Sequence, residues 1–241
     1  MNYLLFHPNE IDSGGRIILR GRRAVHVSTV LKGKEGDFLR ACVARHGRGE
    51  AEVLRVAERE VTLRFSLLEK PPVPQIDLVL AVPRPKVLSR CLSLAASLGT
   101  RKIHLVNAWR VEKSYFQSPK LETEAMNAAA GLGCEQGGEP WLPEISVSRE
   151  FMGFVNEVLP GLPKNRVVAH PKKGNRVVSA YKPEPVVFAI GPEGGWTERE
   201  VETLELNGFL PCEFGLPTLR VEPAIAALYA QWAMAAVIGP A

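Results

Sequence analysis

Lys70-Pro-Pro-Val-Pro74 constrains this chain more than any other feature. Its three prolines fix φ and remove amide donors, so neither a helix interior nor a paired strand can run through it. The patterns on its two sides differ. Upstream, Tyr3–Phe6, Arg16–Leu19, Phe38–Val43, Glu50–Val56 and Val61–Phe65 are short, several with period two, and are expected to be strands of a small barrel. Between them Arg23–Leu31 reads as one short helix closed by Lys32-Gly33. Downstream, Ile76–Ala81, Ile103–Val106, Arg166–Ala169 and Val186–Ile190 are apolar runs of strand length. They alternate with expected helices at about 87–98, 121–132, 151–158 and 224–237. That order implies an α/β domain built on a mostly parallel sheet covered on both faces. The organisation expected is one domain over 1–69, a linker over 70–75 and a second domain over 76–241.

Composition places the chain among soluble globular proteins: 241 residues, 46% hydrophobic and 23% charged. Its amino terminus has no basic start followed by an apolar core, and no apolar run is read as approaching the roughly 20 residues that cross a bilayer. A cytoplasmic protein with no membrane partner is expected. Cys42, Cys91, Cys134 and Cys212 are far apart and the five histidines are scattered, so reduced thiols and no metal site are expected.

The net charge of +4 hides an uneven distribution. Arg16–Arg48 holds nine basic residues against two acidic, Val82–Lys120 eight against one, and Lys164–Lys182 six against none. From Glu184 onward there are two basic against eight acidic. Solvated faces alone can carry such runs. Three together favour a polyanion, and nucleic acid is the expected partner.

Ala189-Ile-Gly-Pro-Glu-Gly-Gly-Trp-Thr-Glu-Arg-Glu200 is the sharpest local motif: a buried-type strand, a glycine turn, and Thr197 with Glu200 at capping-box spacing. Glycines at 191, 194 and 195 let main-chain groups approach a ligand, and the loop follows a strand's carboxyl end, where ligands collect in parallel sheets. No Gly-Lys-Ser/Thr follows and the spacing is not GxGxxG, so a phosphate or dinucleotide loop is not indicated. A plain strand-to-helix turn would carry the same glycines. A second turn-to-helix motif follows at Phe214-Gly-Leu-Pro-Thr-Leu-Arg-Val-Glu-Pro-Ala224.

Together with Pro83-Arg-Pro-Lys86, Glu135-Gln-Gly137 ahead of Pro143, and His26, Val30-Leu31 and Gly36-Asp37, these two motifs resemble the 16S ribosomal RNA uracil-N3 methyltransferase family. That family belongs to the SPOUT superfamily of knotted methyltransferases, and the likeness spans essentially the whole chain. Two positions depart from it. Leu219-Arg-Val-Glu-Pro-Ala224 replaces the usual Leu-Arg-Thr-Glu-Thr-Ala, and Leu31-Lys-Gly33 stands where a Leu-Arg pair followed by a longer residue is usual.

The resemblance implies a PUA-like amino-terminal barrel, a carboxy-terminal α/β domain with a deep trefoil knot, and a homodimer. It implies S-adenosylmethionine held by Ile190, Gly191, Pro192, Glu193, Gly194, Gly195, Phe214, Gly215, Leu216 and Leu219. Arg220 is the expected stabiliser of charge on uracil, with Glu222 to orient it or accept a proton, although a plain salt bridge fits Glu222 equally. Arg22, Arg23, Lys32, Arg84 and Lys86 are expected to touch RNA. Tyr115, Phe116 and Trp196 could stack on a base or fill the core. The substrate implied is 16S rRNA within the small ribosomal subunit. Two alternatives stay open: a knotted methyltransferase acting on another rRNA or tRNA nucleotide, and a non-catalytic RNA-binding ribosome-assembly protein.

Overall fold

A computed structural model describes residues 3–170, 175–214 and 217–238. The chain forms two compact units, one of residues 1–73 with 134–142 and one of 74–133 with 143–241.

The first unit holds a five-stranded sheet in the order β1-β3-β4-β5-β2, with β1 (Leu4–Phe6), β2 (Arg16–Arg20), β3 (Phe38–Val43), β4 (Gly47–Val56) and β5 (Glu60–Glu69). Only β1 and β3 run parallel; the other pairs are antiparallel. Alternation drives the packing: in β2, Ile17 and Leu19 point inward while Arg16, Ile18 and Arg20 face water. They meet Phe6, Val27, Val53, Val61 and Leu63 in a core of their own. The expected helix at 23–31 is an α turn, α1 (Gly21–Val25), that widens into π turns over His26–Val30.

Residues 134–142 belong to this unit although the sequence pattern continues them from a downstream helix. Main-chain bonds account for it: Tyr3 N–H donates to Glu135 O at 2.7 Å and Arg45 N–H to Pro140 O at 2.8 Å. The Trp141 indole donates to Pro71 O at 3.2 Å.

The second unit is a seven-stranded sheet in the order β10-β12-β9-β11-β6-β7-β8, and every pair in it is parallel. The strands are β6 (Ile76–Ala81), β7 (Thr100–Val106), β8 (Glu144–Ser148), β9 (Asn165–Ala169), β10 (Asn175–Arg176), β11 (Val186–Ile190) and β12 (Phe209–Glu213). The central strands β6 and β11 are almost wholly buried, as a sheet covered on both faces requires. The helices are α2 (Pro85–Ser97), α3 (Thr123–Gly137, which carries the chain into 134–142), α4 (Phe151–Gly153, prolonged by further turns to Gly161), α5 (Glu198–Leu206) and α6 (Val221–Ile238).

Inside the sheet, the Asp77 carboxylate is fully buried and takes a two-pronged bond from Arg101, Nε to Oδ1 at 2.8 Å and Nη2 to Oδ2 at 2.7 Å. Buried His104 pairs Nδ1 with Ser146 Oγ at 2.9 Å, and its Nε2 has no partner among the described residues.

Helix α6 corrects the expectation that no segment approaches membrane-spanning length. Among the described residues it alone is long and apolar enough, with a mean hydropathy of 1.4 over 18 residues. It contains the helix expected at 224–237, and in the sequence Glu222, Pro223 and Gln231 interrupt its apolar run. One side of it is core: it packs on α2, with Ile225, Leu228, Tyr229 and Trp232 buried. Tyr229 and Trp232 meet the Phe188 ring edge-on, each at 5.3 Å between centroids, and the Tyr229 hydroxyl lies 2.7 Å from Thr100 Oγ1. Met234, Val237 and Ile238 stay exposed on the other side. The four cysteines are reduced and buried.

Candidate cofactor site at the carboxyl edge of the parallel sheet

All seven strands of a parallel sheet end on one edge, so the loops after β6, β7 and β11, which are neighbouring strands, meet there. The loop after β11 turns through Gly191–Gly195 into α5. Thr197 caps that helix: its hydroxyl accepts Glu200 N–H at 3.3 Å, while Glu200 Oε2 accepts the Thr197 N–H and hydroxyl, both at 2.8 Å. Glu200 is buried, and its second oxygen accepts the main-chain N–H of Trp109 at 2.7 Å. One carboxylate thus fastens the start of α5 to the loop after β7.

Arg110, the next residue, donates from Nη1 to Gly194 O at 2.5 Å and, more distantly, to Trp196 O at 3.5 Å. On the other flank Arg84 N–H donates to Glu193 Oε1 at 3.1 Å. The glycine loop is therefore braced from both sides.

The glycines leave room for the close approach of Trp196 and Arg110. A Cβ on Gly191 would lie 2.9 Å from Trp196 N, and one on Gly194 would lie 3.1 Å from Arg110 Cδ. Gly195 has φ +71°, a region that side chains resist. Ile190 is buried at the foot of the loop. Trp196 corrects the idea that it stacks on a base: only 6% exposed, it packs against Phe151 with ring centroids 5.9 Å apart. Its indole N–H is buried without a partner among the described residues.

The second motif lies at the start of α6. Phe214 and Leu219 are half-buried against the sheet core, and Phe214 O accepts from Gln231 Nε2 at 2.9 Å. Gly215 and Leu216 lie outside the described residues. Arg220 is exposed and has no ion pair among the described residues. Glu222 instead forms an ion pair with Arg90 of α2, Oε2 to Nε at 3.0 Å. The two motifs converge on α2 beside Cys91. Burial first, then the charges of Glu222 and Glu193, push the Cys91 thiol up to about 12.

Of the other expected RNA-binding residues, Arg84 and Lys86 are exposed at the start of α2, and Arg22 and Lys32 are exposed in the first unit. Arg23 is committed inside that unit. It pairs with Glu10, donates to Leu5 O at 2.8 Å and lies over the Phe6 ring. Among the described residues no group of three or more His, Cys, Asp or Glu could hold a metal ion. Sequence reasoning missed Trp109 and Arg110. The available signal was an indole three residues past a strand's end, followed directly by the arginine of a short loop.

Comparison with known proteins shows what the chain is similar to. The model of the RNA methyltransferase domain family matches residues 69–233. The ribosomal RNA small subunit methyltransferase E of Treponema pallidum is 31% identical over 235 residues, covering 94% of this chain and 88% of that protein. The chain belongs to the ribosomal RNA small subunit methyltransferase E family. A Borreliella burgdorferi member of the family, methyltransferase E 1, is 25% identical over 93% of this chain and 94% of its own length. The fold is shared with the Neisseria gonorrhoeae family member bound to S-adenosyl methionine, at TM-score 0.77 and 19% identity over 98% of each chain.

Proposed function

We propose that this protein transfers a methyl group from S-adenosylmethionine to N3 of a uridine in 16S rRNA of the small ribosomal subunit, in the cytoplasm. The observation that carries the reading is the glycine loop after β11, pinned by Glu200, Arg110 and Arg84 at the carboxyl edge of a parallel sheet, in a chain of this family.

The residues present fit the cofactor. Gly191, Gly194 and Gly195 leave main chain bare of side chains, and Ile190, Phe214 and Leu219 supply apolar walls, a combination suited to a nucleoside held by main-chain bonds. Pro192, Glu193, Gly215 and Leu216 complete the set we assign to it. Bound there, S-adenosylmethionine supplies an electrophilic methyl group on a sulfonium. The protein's part is to align the uracil ring and stabilise the charge that gathers on O2, N3 and O4 as the N3 proton leaves. Arg220, exposed and unpaired among the described residues, is the group we assign to that charge. Glu222, held by Arg90, is a positioning residue or proton acceptor beside it. Arg84 and Lys86 meet phosphate at the mouth of the site, and Arg22 and Lys32 bind RNA from the first unit. Arg23 was expected among these, but its bonds within the unit leave it a structural role.

The finer architecture in this reading is a deep trefoil knot at the carboxyl terminus and a PUA-like first unit, supported by the largely antiparallel five-stranded sheet. The assembly is a homodimer, for which the exposed Met234, Val237 and Ile238 of α6 supply apolar surface. No metal takes part.

The test is titration calorimetry with S-adenosylmethionine on the wild type and on Gly194→Trp, which must displace Arg110, followed by methylation of small-subunit particles lacking the modification. Binding by the wild type alone and transfer to uridine N3 are expected. A folded wild type that binds no cofactor, with or without RNA, would overturn the reading.

A further inference from the structure

Trp109 is 85% exposed, the most exposed aromatic side chain among those described as exposed. A single exposed apolar side chain is ordinary on a protein surface, and what sets this one apart is how its main chain is held. Its exposure is not that of a loose loop. The Trp109 N–H is held by the Glu200 carboxylate at 2.7 Å, and the turn closes behind it through Val111 N–H to Ala108 O at 2.9 Å. Ala108 and Val111 on either side are buried, and Arg110 is anchored on Gly194 O. The main chain is thus fixed while the ring projects from the edge of the sheet that carries the glycine loop.

Cations outnumber acids on the loops around it. Arg110, Lys113 and Arg149 are exposed on the loops after β7 and β8 and Arg84 on the loop after β6, against exposed Glu112 and Glu150 on the first two of these loops. Asn107 Nδ2 donates to Arg149 O at 3.0 Å, which ties those two loops together. A flat, apolar ring on a fixed main chain, with exposed cations on the neighbouring loops, matches an unpaired nucleobase: the ring stacks, the cations meet flanking phosphates, and little main-chain entropy is lost.

We propose that Trp109 is a stacking platform for an unpaired base of the RNA substrate, next to the nucleotide that enters the cofactor site. The proposal rests on the reading of the protein as an RNA methyltransferase. Stacking tolerates any base, so Trp109 supplies affinity and orientation and leaves recognition of uridine to other groups.

The experiment compares the wild type with Trp109→Ala and Trp109→Tyr. Single-stranded oligouridylate is the binding probe, small-subunit particles are the reaction substrate, and S-adenosylmethionine calorimetry is the control. Oligouridylate should quench wild-type tryptophan fluorescence. Trp109→Ala should lose that quench, because Trp196 and Trp232 are buried and Trp141 is partly so. RNA affinity and kcat/KM for particles should fall roughly ten-fold in Trp109→Ala and recover largely in Trp109→Tyr, with cofactor affinity unchanged. Equal RNA affinity and equal kcat/KM in Trp109→Ala would overturn the proposal, as would a change from dimer to monomer, which would make the ring a subunit contact. A wild type that is quenched by RNA but binds no cofactor would keep the platform and overturn the methyl-transfer reading instead.

Discussion

Glu200 accepts the main-chain N–H of Trp109, 91 residues earlier in the chain, at 2.7 Å, while its other oxygen caps the helix it belongs to. A residue whose spacing suggests only a local cap therefore also holds the loop beside the candidate cofactor site. Glu200→Ala leaves two main-chain donors without their acceptor. A stability loss of about 2–3 kcal/mol is expected in urea denaturation, together with weaker S-adenosylmethionine binding by calorimetry.

Gly191→Ala puts a methyl group 2.9 Å from Trp196 N and 3.2 Å from Gly195 C, main-chain atoms that cannot rotate away. The loop must shift as a whole. Cofactor affinity should drop at least about ten-fold, the equivalent of 1.4 kcal/mol, while far-ultraviolet circular dichroism stays that of the wild type.

Arg101→Leu leaves the fully buried Asp77 carboxylate without its counter-ion. Breaking such a pair from one side costs about 3–5 kcal/mol, and the double change with Asp77→Asn should recover part of it. Thermal denaturation of the two variants beside the wild type measures both.

Burial lowers the His104 imidazole from its ordinary 6.5, the effect of Asp77 being secondary. As pH falls through 6.5 the unfolded chain takes up this proton and the folded protein resists it. The unfolded state then binds more protons, so this contribution to stability is present above 6.5 and declines below it until the lower folded value is passed. The urea midpoint should fall between about pH 7 and pH 5, and the slope should flatten in His104→Gln.

Burial is also the first cause that pushes the thiols of Cys42, Cys91, Cys134 and Cys212 up to about 12. Thiolate is scarce at neutral pH, so the native protein should react negligibly with a thiol-disulfide reagent at about pH 8 and titrate all four thiols once unfolded.

The parts of this molecule that can be read from sequence are those whose cause is local. Strand β11, the glycine turn and the Thr197–Glu200 cap all lie between Val186 and Glu200, and each leaves its own residue signature. Strands β8 and β12 leave no clear signature in the sequence, for physical reasons. Glu144–Ser148 pairs only with β7 at the end of the sheet and has no buried run, and Phe209–Glu213 has Pro211 in its middle. The hold of Arg110 on Gly194 and the inclusion of residues 134–142 in the first unit depend on contacts far apart in sequence, which no periodicity encodes. Glu222 was open between chemistry and a salt bridge; its pairing with Arg90 supplies the bridge and holds it beside Arg220.

Strands β6 and β11 lie side by side at the middle of the seven-stranded sheet, with Ile76 opposite Val186. On a translating ribosome the first of these waits, unpaired on that edge, until most of the protein has been made. The centre of the sheet is thus among the last features to close, so the second unit should fold slowly and mainly after synthesis, with an apolar strand that needs shielding in the interval.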